Sequence, residues 1–461
     1  MRGILSRKVC GTASFALAEQ LARNKVCRGT LPSHFQDFAI SKKRRSMTNQ
    51  PAPAHLVDSR YAFWRLVTSL VIMVMGSSCM FIVSVVLPEV QAEFGVSRSE
   101  ASLPSTLLWI GFGAGGGLLM GRVSDRWGVW VCLLIGAAGL LIGFIWAAHT
   151  TDILVFALVH GIFLGFLGTS ATFAPLVADT SLWWNKRRGI AVAVCASGNY
   201  LAGAIWPPVT QWGISTIGWR ETYIWLGLAS GISMALLAFL MRRRPPLVQV
   251  APLPKNEVAG VPRPFGINIT HAQLLMCVAG LACCVAMSMP QVHIVAYCAD
   301  LGYGPARGAE MLALMLGCGI ISRLISGVIC DRIGGIRTLL LGSALQGIAL
   351  FMFLPFDGLV SLYLISALFG LFQGGIVPSY AIIIREYFPA AEAGRRVGSV
   401  IMCTMFGMAL GGWMSGKIFD VTGSYQMAMI NGMVWNLLNL SIAGWLYWRV
   451  RQASTSLQKN L

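Results

Sequence analysis

The chain has 461 residues, 56% of them hydrophobic and only 11% charged, whereas a soluble domain carries roughly 25% charge. A soluble globular enzyme is excluded on that ground, and 51 Gly and 15 Trp fit packed membrane helices with interfacial aromatic belts. The net charge of +17 would suit nucleic acid if it were gathered on one domain, but the basic residues lie in short clusters between apolar stretches, so no nucleic-acid partner is expected.

Residues 1–60 precede the first apolar stretch and are expected to carry no packed structure. Lys42-Lys43-Arg44-Arg45 and the scarcity of acids in 1–46 fit an organellar targeting segment or a cytoplasmic tail. A translation start at Met47, which leaves a short polar leader, is the reading we prefer. Six apolar segments then follow, at 63–87, 103–120, 129–148, 153–176, 189–209 and 222–241, each near the roughly 20 residues that cross a bilayer. Together they define a first half at 61–241. Residues 242–268 open with Arg242-Arg243-Arg244-Pro245-Pro246 and read as a linker. A second half at 269–450 repeats the pattern with segments 271–294, 309–329, 338–356, 359–383, 397–416 and 426–448, and 451–461 form a tail.

A charged phrase recurs at matching places in the two halves. Gly121-x-x-x-Asp125-Arg126-x-Gly128 follows the second segment, and Gly327-x-x-x-Asp331-Arg332-x-Gly334 follows the eighth. Such duplication inside a hydrophobic chain is the mark of a transporter built from internal repeats. Gly121 and Gly128 are expected to permit a tight turn. Asp125 is expected to meet the positive end of a helix from the opposite half. Arg126 or Arg122 would pair with Asp179, and such contacts would close one face of the carrier.

Orientation follows from the loops. Those after segments 2, 4, 6, 8 and 10 hold Arg122, Arg126, Lys186, Arg187, Arg188, Arg242, Arg243, Arg244, Lys255, Arg263, Arg332, Arg337, Arg385, Arg395 and Arg396, and the alternate loops hold only Arg98, Arg220, Arg307 and Lys417. The basic side is expected to be cytoplasmic, with both termini inside.

The repeated phrase resembles the signature of the major facilitator superfamily. Trp183-Trp184-Asn185-Lys186-Arg187-Arg188-Gly189 is similar to that family's junction between helices 4 and 5. Tyr387-Phe388-Pro389 with Arg395-Arg396-Val397-Gly398 is similar to its counterpart between helices 10 and 11, and Phe419-Asp420 with Gly423-Ser424-Tyr425 to the loop after helix 11. Pro290 to Tyr297, Asp300-Leu301-Gly302 and Ile321-Ser322-Arg323 resemble bacterial members of the monocarboxylate and oxalate–formate exchanger group. The resemblance implies an all-α membrane protein of twelve transmembrane helices in two six-helix pseudo-symmetric halves, the major facilitator fold. It implies a monomeric secondary transporter in a bacterial cytoplasmic (inner) membrane, with alternating access.

Polar groups at membrane depth mark the expected substrate site. Arg323 stands eight residues before Asp331, about 12 Å along the helix, which is near the middle of a hydrocarbon core about 30 Å thick. In the group resembled, an arginine of helix 8 binds the substrate carboxylate, and a guanidinium offers a planar, permanently charged fork for it. Gly319 stands where many monocarboxylate carriers have Asp. His160 and His293 are candidates for substrate binding and proton coupling. Asn199, Tyr200, Gln373 and Tyr380 are further candidate ligands, each with interhelical hydrogen bonding as the alternative. The first segment lacks the buried lysine of eukaryotic-type monocarboxylate carriers.

The twelve cysteines show no paired metal spacing, and no His, Asp or Cys cluster sits at membrane depth, so neither metal, cofactor nor enzymatic activity is expected. The expected function is transport of a small organic anion, a monocarboxylate, across the lipid bilayer, with protons as the candidate coupling ion. A major facilitator drug or metabolite exporter driven by the proton gradient is the alternative.

Overall fold

Each apolar segment becomes a helix, longer than the segment that announced it in every case but the ninth, where 338–356 becomes Gly335–Met352. In the computed structural model, which describes residues 54–245, 264–389 and 392–459, the helices are α1 (Arg60–Phe94), α2 (103–127), α3 (Val129–His149), α4 (Ile153–Trp183), α5 (Arg188–Ile217) and α6 (Trp219–Leu240). In the second half they are α7 (Ile269–Asp300), α8 (Pro305–Ile333), α9 (Gly335–Met352), α10 (Leu359–Tyr387), α11 (Ala393–Thr422) and α12 (Tyr425–Lys459). The described residues form one compact unit. The expectations for 1–46 and for most of the linker fall outside the described residues. The expected tail at 451–461 is a continuation of α12 as far as Lys459.

Helix ends follow ordinary capping chemistry. Ser59 accepts the Ala62 amide, Asp152 accepts those of Leu154 and Val155, and Asn268 accepts that of Thr270, satisfying donors with no partner in the first turn. Ten of the helices, among the described residues, have the length and hydropathy to cross a membrane. The two others pack in the same bundle: α2 is broken by a π-helical turn at Gly116–Met120, and α12 carries Asn431, Asn436 and Asn439.

The fourth helix of each half is interrupted, and so is the first helix of the first half, whereas its counterpart α7 runs unbroken. In α1 the break lies at Ser77. In α4 a 3₁₀ turn at Thr169–Ala171 intervenes, and Thr169 Oγ1 donates 2.9 Å to the Gly76 carbonyl, tying the two breaks together. In α10 the break falls at Gly374 and Gly375, where Gly374 lies against the Gly319 carbonyl and Ser322 of α8. Interrupted helices with freed backbone groups commonly mark the substrate path of a transporter.

The repeated phrase is built differently from its expected form. Gly128 and Gly334, at φ 92° and 84°, do sit in the connections to α3 and α9, a conformation that favours glycine. Gly121 has helical dihedrals and Gly327 lies inside α8. Only the second glycine of each phrase is therefore a turn residue.

Candidate functional site

The two halves meet through α1–α7, α2–α11 and α5–α8. Glycines record where the halves touch. A methyl group added at Gly203 of α5 would collide with Leu316 of α8, one at Gly113 of α2 would lie 3.1 Å from Met405 of α11, and one at Gly416 would lie 3.0 Å from the Arg98 carbonyl. Toward the end of the molecule bearing the repeated phrase, Gly116 and Gly117 of α2, Gly327 of α8 and Gly394 and Gly398 of α11 have open space instead. The halves are thus joined from the middle of the bundle to one end and parted at the other.

The joined end is held by a polar clasp that the sequence reading did not identify. The four-residue helix Arg98–Ala101, between α1 and α2, carries it. Arg98 Nη2 donates 3.0 and 3.1 Å to the Asp300 carboxylate at the end of α7, and the Arg98 and Ser99 amides donate 2.7 and 2.9 Å to Asp420 of α11. The guanidinium also lies 4.8 Å from the Phe419 ring centre and 5.9 Å from that of Tyr425. Ser97 and Glu100 form a capping box that fixes this helix, and the Ser97 amide and hydroxyl hold the Glu100 carboxyl below its ordinary range. Asp300 and Asp420 were legible only as part of a resemblance. Their partner Arg98 was read as topology alone.

At the parted end, Asp125, Arg126, Asp331 and Arg332 are exposed. Among the described residues the side chains of Asp125, Asp331 and Arg332 make no hydrogen bond or ion pair, and Arg126 lies over the ring of Trp127. Asp179 does not pair with Arg126 or Arg122. Its carboxylate takes two 2.9 Å bonds from Nε and Nη2 of Arg65, in the second turn of α1. Arg65 also donates 3.3 Å to the Met241 carbonyl and stacks 4.6 Å from the Trp183 ring centre, joining α1, α4 and α6 within one half. Both partners are buried, and a guanidinium fork that reaches a carboxylate bidentately outcompetes exposed arginines for it.

Arg323 sits where joining gives way to parting. Its Nη1 donates 2.9 Å to the Ala196 carbonyl of α5, its guanidinium carbon lies 4.3 Å from the Tyr200 ring centre, and its buried Nε has no partner. Gly319 makes room for this arrangement: a methyl group there would be 2.6 Å from the Tyr200 ring. Tyr200 therefore fills the space one turn before Arg323 that a side chain at 319 would need. Asn199, half-buried beside it, donates 3.1 Å to Met80 Sδ and 3.5 Å to Ser77 Oγ at the break of α1. Arg323, Tyr200 and Asn199 thus come together between α1, α5 and α8.

The other expected ligands do not join them. His160 is 0% exposed, bonded to the Phe156 carbonyl at 2.7 Å and Tyr223 at 3.3 Å, all in the first half. His293 is likewise 0% exposed, between Tyr425 at 3.1 Å and the Gly412 carbonyl at 2.8 Å in the second half. Tyr380 donates 2.9 Å to Asn439, which in turn reaches Ser343. Gln373 accepts 3.0 Å from Gln291, and its own buried Nε2 is unpartnered. Gln291 was missed because a lone glutamine beside Pro290 gives no periodic signal.

The Major Facilitator Superfamily profile matches residues 67–362 and 311–459. Monocarboxylate transporter 13 of Bos taurus is 26% identical over 315 residues, 67% of this chain and 71% of that one. MFS-type transporter 1 of Ophiocordyceps sp. is 26% identical over 307 residues, 66% of each chain. A bacterial homologue of the human lysosomal transporter Spinster, solved in an inward-facing and occupied conformation, superposes with a TM-score of 0.65 at 13% identity, covering 85% of this chain and 97% of that one. The nucleoside transporter NupG superposes at 0.63 with 14% identity, covering 83% and 99%. The chain is an integral membrane transporter, not an enzyme, and it belongs to the Major Facilitator Superfamily.

Proposed function

We propose that the protein moves a small organic anion, a monocarboxylate, by alternating access, with Arg323 as the group that binds its carboxylate. The observation that carries this reading is the guanidinium held at the junction of the halves with a buried, unpartnered Nε. A buried donor without a partner costs free energy, and a substrate carboxylate would supply the acceptor. Tyr200 orients the fork through its ring face, and Asn199 lies close enough to α1 to sense which state that helix adopts. Acting as a monomer, the carrier would present the repeated-phrase face to the cytoplasm, on the weight of its basic residues. On that assignment the structure is the inward-open state, sealed outside by the Arg98 clasp.

The coupling ion is a separate matter. His160 and His293 are enclosed inside single halves, so neither supports a proton path through the Arg323 site. A second reading, export of a drug-like metabolite, is favoured by relatives such as the agnestins efflux protein AgnL12 of Paecilomyces divaricatus, 21% identical over 318 residues. Uptake of radiolabelled monocarboxylates and dicarboxylates into proteoliposomes, with and without a pH gradient, tests the two. Monocarboxylate uptake that Arg323→Lys weakens substantially supports the anion reading. Absence of any carboxylate transport favours the exporter.

A further inference from the structure

The clasp borders an open depression of about 340 Å³ at the joined end, lined by Pro88, Gln91, Val96, Arg98, Ala299 and Asp300. Arg98 is the fixed member of the Arg98–Asp300 pair. It is only 7% exposed, stacked on Phe419 and Tyr425, and its buried Nε has no partner. Asp300 is the loose member: its side chain is 36% exposed and faces the depression. An ion pair with one partner partly exposed is weaker than a fully buried one, and a free carboxylate has the same chemistry as the Asp300 side chain. Exchanging one for the other at Arg98 keeps a charge-assisted hydrogen bond, but it releases the end of α7 from the first half.

We propose that this vestibule is a second anion site, in which a small carboxylate bound to Arg98 displaces Asp300 and so loosens the clasp. The site is separate from Arg323 and does not depend on the assignment made there. Its position gives it a role in entry. An anion arriving at the joined end would weaken the contact that bars its own way, while the Asp420 contact to the Arg98 and Ser99 amides keeps the end closed in its absence. The neighbouring charges are mixed: Asp420 is bonded to the Arg98 and Ser99 amides, and Glu100 and Lys417 lie close enough to interact with it and with each other, so two acids and one base surround Arg98 besides Asp300. The site should therefore be the weaker of the two.

Ala101 provides a reporter. It is 1% exposed and packs with Leu87 of its own half against Val292 and Ala296 of the other, just beneath the clasp. The experiment uses full-length Arg323→Gln/Ala101→Cys protein in nanodiscs, so that the central site is disabled. The rate of thiol labelling above the Arg323→Gln parent is compared in sodium acetate and in sodium chloride of equal ionic strength. We expect acetate to raise the rate several-fold. Adding Asp300→Asn should raise the basal rate and lower the acetate concentration giving half the effect. Adding Arg98→Gln should make labelling fast and indifferent to acetate. Equal rates in acetate and chloride overturn the proposal, as does an acetate effect that survives Arg98→Gln. If acetate acts only when Arg323 is restored, the anion works through the central site, and the vestibule proposal fails while the central reading stands.

Discussion

Two residues show how much a single side chain decides. Arg65 and Asp179 form a buried, bidentate pair. Removing one partner of such a pair leaves a buried charge uncompensated, at a cost of about 3–5 kcal/mol, whereas an apolar replacement of both is often neutral. Asp179→Leu should therefore lower the thermal midpoint of the purified protein strongly, and Arg65→Leu/Asp179→Leu should recover most of the loss. If the double variant is as unstable as the single one, the pair is not the reason that α1 and α4 hold together. Gly319 supports the opposite kind of prediction, one about binding. Gly319→Ala places a methyl group 2.6 Å from the Tyr200 ring, so the ring must leave its position beside Arg323. Substrate affinity should fall several-fold with thermal stability little changed, and Tyr200→Phe, which keeps the ring face, should retain most of the affinity. The sequence made Asp179 visible as an acid near a basic loop, but the expected partners were Arg122 and Arg126, and nothing in the pattern pointed to Arg65. Which arginine reaches Asp179 depends on helix azimuth and burial, which a hydropathy pattern does not encode.

Helices were legible in number and order but not in length or in their polar contacts. Pro88 and Pro290 look like breakers in a sequence, yet both lie inside helices that run on to Phe94 and Asp300. Packing across the joined halves outweighs the local penalty of a proline, since neighbouring groups re-satisfy the freed backbone in a membrane helix. The breaks at Ser77, Thr169 and Gly374 coincide with close contacts between helices and not with a proline at the break. Histidines illustrate the second point. A His at membrane depth reads as a candidate ligand, but His160 ties α4 to α6 and His293 ties α7 to α11 and α12. We expect His160→Ala and His293→Ala to lower stability and yield while leaving the pH profile of transport by surviving carriers unchanged. A profile shifted by either variant would return that histidine to the transport path.

At the scale of the whole molecule, the repeated phrase announced a duplicated carrier, and the comparisons place the chain in that superfamily. The membrane it occupies was less legible, because the resemblance was to bacterial members whereas the curated relatives named here are mammalian and fungal. The conformation could not be read from the sequence at all. Contacts that join the halves are distributed over six helices, and only their spacing shows that one end is sealed by Arg98 while the other is parted. Asp125 is exposed and, among the described residues, unpaired at the parted end, so its contact is expected to form only in the opposite state. Asp125→Asn should slow turnover with much less change in substrate affinity, because it biases an equilibrium without touching the central site. Collapse of affinity with turnover retained would remove Asp125 from gating. The account's central claim is that Arg323 binds the substrate carboxylate, and equilibrium binding to purified protein tests it most directly. With the best monocarboxylate from the transport panel as radiolabelled probe, Arg323→Gln should bind about 10- to 150-fold more weakly than the unmodified carrier, the equivalent of a charge-assisted hydrogen bond of about 1.5–3 kcal/mol. Near-normal affinity in Arg323→Gln would contradict it.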